Sequence, residues 1–107
     1  VRKSRREAAR RFEELAGSPR ASDAIQQVLP AAFHGRVEHL FVAVGRQIWG
    51  SFDPETHEVR ISETQRPGDR DLLNQAAVHT FLQGGAVYAV EPPEVPGGAL
   101  LAAVFRY

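Results

Sequence analysis

The stretch from Gly35 to Gly45 constrains the fold more than any other part of the chain. Leu40, Phe41, Val42, Ala43 and Val44 form an unbroken apolar run that follows Arg36-Val37-Glu38-His39 and stops at Gly45. A strand with one wet face alternates apolar and polar side chains, whereas a continuous run suits a strand covered on both faces. Such a strand must be central, with layers above and below it. Helical patterns lie before and after it in the sequence, so the expected class is a layered α/β domain.

The helices can be placed from spacing. Ile25, Val28, Leu29, Ala32 and Phe33 fall at i, i+3, i+4, i+7 and i+8, a core-facing stripe that Ser22 or Asp23 can cap. Pro30 lies inside the stripe and predicts a kink or break, with a final turn ending at Gly35. A further helix starts at Asp69 or Asp71 and buries Leu72, Leu73, Ala76, Ala77, Thr80 and Phe81 before Gly84-Gly85 stops it. Between these helices, the residues from Gln47 to Phe52 and from His57 to Ile61, joined through Asp53-Pro54-Glu55-Thr56, read as a hairpin and as the edge of the sheet. The residues from Ala86 to Val90 and from Ala99 to Tyr107 are two more buried strands, separated by a proline-rich loop.

Charge divides the chain where the helices do not. The 107 residues carry 13 basic and 13 acidic side chains, yet seven basic and only three acidic ones fall in the first 20 residues. Residues 1–20 therefore read as a basic helical arm or linker from an upstream domain, and residues 21–107 as a single domain. Arg2, Lys3, Arg5, Arg6, Arg10 and Arg11 are the candidate contacts to phosphate or RNA on that arm. The simpler reading of the same charges is a solvated helix joined to a preceding domain. A start at Val1 and the absence of any methionine agree with a piece of a longer chain.

Several chemistries lack their residues. There is no cysteine, hence no disulfide, thiolate metal site or cysteine nucleophile. This composition and the lack of a signal-peptide pattern or long apolar run give an expectation of a cytoplasmic protein with no membrane partner. Gln83-Gly84-Gly85 and Gly97-Gly98 lack the lysine and spacing of nucleotide-binding loops. Asp53, Glu55, His57 and Glu58 gather around one turn without a known ligand spacing and read as a solvated loop. His34 suits the negative end of a helix, and His39 shares a strand with Glu38 but faces the other way. The expectation is of no catalytic residue, no metal and no cofactor. For a ligand site the place to look is the carboxyl end of the strands, at Gly45 and Arg46, with the single Trp49 as a stacking surface or a sheet-packing residue.

Three stretches carry a resemblance: Ala31-Ala32-Phe33-His34-Gly35-Arg36-Val37-Glu38-His39-Leu40-Phe41-Val42, Asp71-Leu72-Leu73-Asn74-Gln75-Ala76-Ala77, and Gly97 to Tyr107 with its Arg106-Tyr107 ending. Together they resemble the third, C-terminal domain of the archaeo-eukaryotic class 1 peptide release factor and Pelota superfamily, in its bacterial branch. The likeness runs from about Ser22 to Tyr107. It implies a three-layer α/β/α sandwich with a mixed sheet of about four to five strands, similar to the kink-turn RNA-binding ribosomal proteins. It also implies a non-catalytic docking module of a ribosome-associated factor in termination, rescue or hibernation, whose partners are the ribosome or a translational GTPase, ribosomal RNA and the upstream domains of its own chain. The hydrolytic Gly-Gly-Gln loop of release factors belongs to a different domain, and Gln83-Gly84-Gly85 reverses that order. The alternative from the residues alone is a stand-alone RNA- or ligand-binding α/β module.

Overall fold

The computed structural model describes the backbone of residues 2–107 and the side chains from residue 5 onward; the expected contacts of Arg2 and Lys3 lie outside the described residues. The elements run α1 (Arg2–Leu15), β1 (Ala21–Ser22), α2 (Ile25–Phe33), β2 (Val37–Ala43), β3 (Trp49–Phe52), β4 (Val59–Ile61), β5 (Arg70–Asp71), α3 (Leu72–Leu82), β6 (Ala86–Val90) and β7 (Leu101–Phe105). The main sheet has the order β1-β7-β2-β6, with β2 and β6 parallel and the other two pairs antiparallel. The apolar run thus becomes a central strand of a mixed α/β sheet, as its lack of alternation requires.

Its side chains feed two cores. Leu40 joins Leu101, Ala103 and Phe105 beneath α2 and α3, while Phe41 and Ala43 join Ala102 and Val104 on the opposite face. The register of β2 against β7 shifts between Val37 and His39. That bulge changes the side-chain parity, which is why Val37 and Leu40, three residues apart, both lie in the α2 and α3 core.

The second core is closed by α1. Ala8 and Phe12 are buried against Phe41, Val90, Val95 and Val104, so the helix expected to be an arm lies on the sheet as its third layer. The Cα radius of gyration, 12.9 Å, is that of a compact chain of this length, about 13 Å. The narrow stripe of Ala8, Phe12 and Leu15 shares this face with Val95 from the segment after β6.

Three further details differ from the expectations. The helix α2 runs through Pro30 without a break, and its cap is Ala24 with no side-chain bond. Ser22 instead lies in β1, a two-residue strand paired with β7, where its hydroxyl accepts from the Ala24 amide. A proline costs about 3 kcal/mol inside a helix, and the burial of Val28, Leu29, Ala31 and Ala32 on the same segment offsets it. Finally, β3 and β4 do not extend the main sheet. They form a separate sheet of order β4-β3-β5 whose Phe52 and Val59 pack against the α2 and α3 core. Phe52 meets Phe33 edge to face at 5.6 Å between centroids, and this apolar contact draws the hairpin over the helices rather than to the sheet edge.

Both helices entering parallel strands end alike. Gly35 and Gly84 adopt φ of +74° and +86°, and the amides of Arg36 and Gly85 bond back to the carbonyls of Ala31 and Thr80 at 2.8 Å each. This is the Schellman ending that glycine permits at low cost. It turns α2 into β2 and α3 into β6 with the same geometry.

Candidate functional site

Three surfaces could do chemistry or binding; the first two adjoin, sharing Ala77 and Val87, and the third lies at the other end of β2. The first is the one expected at the carboxyl end of β2. A cleft of about 260 Å³ is lined there by Val42, Ala43, Arg46, Asp71, Leu73, Asn74, Ala77, Val87 and Ala89. Arg46 takes part, while Gly45 is exposed in the turn with φ of +73° and Trp49 stands outside the lining on β3. Asp71 is engaged at this end, its carboxylate accepting from the Leu73 amide at 3.1 Å as the cap of α3 and from the Ile48 amide at 3.2 Å. A carboxylate that accepts from two amides braces this corner of the cleft.

The second surface is apolar and was missed by the sequence reading. Phe81, expected in the core, is 72 % exposed, and Leu82 beside it is 71 % exposed. With Ala77, Val78 and Val87 they line a groove of about 300 Å³ between α3 and β6. The strand β6 pairs only with β2, so the groove runs along an open sheet edge. Periodicity assigned Phe81 inward because Ala77 and Phe81 are one turn apart; the sheet ends at β6, and among the described residues nothing covers that side of the helix. A signal was present in the sequence, since three large apolar residues, Val78, Phe81 and Leu82, crowd the last turns of the helix, more than one buried stripe can hold.

The third surface is a cleft of about 750 Å³ at the opposite end of β2. It is bounded by the turn after α1, the outer side of α2, Arg36 at the start of β2 and His57 from the hairpin tip. His34 and His57 meet there with their Nε2 atoms 2.7 Å apart and their rings edge to face. Arg36 donates from Nη2 to the Tyr107 carbonyl at 3.1 Å, and its guanidinium carbon lies 5.3 Å from the centroids of both Phe105 and Tyr107. Arg20 holds the same strand end, donating from Nη2 to the carbonyls of Phe105 and Arg106 at 3.1 Å each. The Arg-Tyr ending therefore serves as a clasp, with Arg106 donating in turn to the Gln83 carbonyl at 3.1 Å.

On α1, Arg6, Arg10 and Arg11 are exposed, and Arg5 lies 3.9 Å from Glu94 across a half-exposed pair that contributes little. Glu7, Glu13 and Glu14 are exposed on the same helix, which dilutes the positive field. Asp53, Glu55 and Glu58 are exposed around the hairpin turn, Glu58 lying 3.7 Å from Arg60, and among the described residues no three potential ligands come together. Nor is any helix among the described residues long and apolar enough to cross a membrane. No protein-family model matches the chain, and no curated protein aligns with it significantly.

Proposed function

We propose that this chain is a non-catalytic docking domain of a bacterial release-factor-like, ribosome-associated protein of the cytoplasm, and that it docks through the groove between α3 and β6. The observation that carries this reading is the exposure of Phe81 and Leu82 at the open edge of the sheet. Burying two such side chains contributes about 1.5–3 kcal/mol each, enough to dominate a small interface. The five residues lining the groove include no cation and no hydrogen-bonding side chain, which favours an apolar protein surface over RNA as the partner. A translational GTPase or a ribosomal protein supplies such a surface. The resemblance between residues 22–107 and the release-factor third domain supports the ribosomal setting.

Co-sedimentation with bacterial ribosomes at low and moderate salt tests it. The chain should pellet with ribosomes at both salt concentrations, and reversing the charge of Arg5, Arg6, Arg10 and Arg11 should leave most of the binding intact. The double variant Phe81→Ser, Leu82→Ser should lose it while keeping its circular dichroism spectrum. Binding that disappears with salt or with the arginines would reduce the association to general phosphate attraction and refute the docking face.

The alternative, an RNA- or ligand-binding module, draws on a separate observation, the polar cleft at the other end of β2.

A further inference from the structure

We propose that the cleft between the turn after α1, the outer side of α2 and the hairpin tip binds a phosphate-bearing ligand. Its polar lining is Ser18, Gln26, Gln27, His34, Arg36 and His57. No Asp or Glu lines it, although residues 21–107 carry ten acidic and only six basic side chains. A surface of average composition on this acidic body would present carboxylates; this one presents an arginine, two imidazoles and neutral amide and hydroxyl groups. Such a lining attracts an anion and offers it donors on several sides.

The donors are held in place in advance. Arg36 is clasped between the rings of Phe105 and Tyr107 and by the Tyr107 carbonyl, so little side-chain entropy remains to be lost on binding. Its Nε is buried without a hydrogen-bond partner. His57 has φ of +63°, the sole positive value among the described non-glycine residues. Backbone strain of this kind at a non-glycine residue persists where the surroundings impose it, often at ligand clamps. Here it brings Nε2 of His57 against Nε2 of His34. An oxyanion inserted between the two rings would exchange one imidazole-imidazole bond for two charge-assisted ones, with both Nε2 atoms donating.

A metal fits less well. Two imidazoles lack further side-chain ligands, since no group of three potential ligands forms among the described residues. At about 750 Å³ the cleft lies in the size range of small-ligand sites and admits a mononucleotide or one phosphate of an RNA strand. Both sources share the phosphate chemistry. The site is remote from the cleft at Arg46, since the seven residues of β2 between them span about 20 Å. It is also independent of the α3 and β6 groove, so failure of ribosome docking leaves this inference standing.

Amide chemical-shift titration of the whole chain with inorganic phosphate, adenosine monophosphate and a short single-stranded RNA without terminal phosphates tests the proposal. Phosphate and the mononucleotide should perturb Ser18, Gln27, His34, Arg36 and His57 selectively. The double variant His34→Asn, His57→Asn and the single variant Gln26→Glu, which adds a carboxylate on an exposed helical position, should each weaken binding about tenfold or more. All three substitutions sit at exposed positions, and unchanged spectral dispersion will show that the fold persists. Displacement of the mononucleotide by phosphate with no RNA binding assigns the site to free phosphorylated ligands. RNA binding at the same amides, displaced by phosphate, assigns it to nucleic acid. Perturbations scattered over the surface, equal affinity in the variants, or no saturation below about 10 mM would overturn the proposal.

Discussion

Replacing Phe12 by alanine separates an integral third layer from a basic arm. Phe12 is 6 % exposed, and its ring lies so close to the turn at Gly97 that a Cβ there would sit 3.4 Å from Cε2. An aromatic side chain buries about 150–250 Å², and losing its ring at about 25 cal/mol per Å² costs about 3 kcal/mol. The cavity left against Phe41, Val95 and Val104 places the loss within the measured range for such truncations, about 3–5 kcal/mol. The assay is urea denaturation followed by the fluorescence of the single Trp49, on β3, which packs with the opposite core. If α1 is part of one cooperative unit, that remote reporter will record the loss. With a slope of about 1.5 kcal/mol per M, the midpoint should fall by about 2 M. The control Arg6→Ala, at an exposed position of the same helix, should move it by less than about 0.3 M. A Phe12→Ala midpoint within the range of the control would refute the layer assignment and restore the arm.

Two other substitutions probe the braces of the smaller sheet. A Cβ at Gly50 would collide with the Arg60 carbonyl oxygen and come within 2.9 Å of Leu72 Cδ1, so Gly50→Ala should cost about 2 kcal/mol or more by thermal denaturation. Asp71→Ala removes acceptors from the amides of Leu73 and Ile48 and should cost about 1–2 kcal/mol, with Asp71→Asn recovering part of the loss. Equal stability of the alanine and asparagine variants would show that the cap does not contribute.

The central strand, both core helices and the two glycine helix endings were legible because each depends on local pattern, and of the two expected caps, Asp69 and Asp71, the structure uses Asp71. The helix before Gly17 was legible in the sequence, but the face of the sheet it covers was not. Its arginines and glutamates satisfy a solvated arm and a third layer equally well, and only the uncovered side of the sheet decides between them. The hairpin was likewise found as a hairpin, yet its sheet was not, because pairing with β5 joins residues about 20 positions apart. Phe81 follows the spacing of the buried stripe but lies beyond the edge of β6, where burial ends.

Of the candidate site residues, Arg46 lines a cleft at the predicted end of the strands, whereas the polar cleft at the other end of β2 joins His34 to His57 across 23 positions. Neither histidine carried a local signal beyond its helix end or its turn. By itself the sequence determined the α/β class, the strand that had to be central and the existence of its helices, since these follow from which residues must leave water and at what period. Tertiary structure alone decided which helix covers which face, which sheet edge stays open and which distant side chains share a cleft. Those outcomes depend on the packing of whole surfaces against one another, and no period or cap in a single segment encodes that.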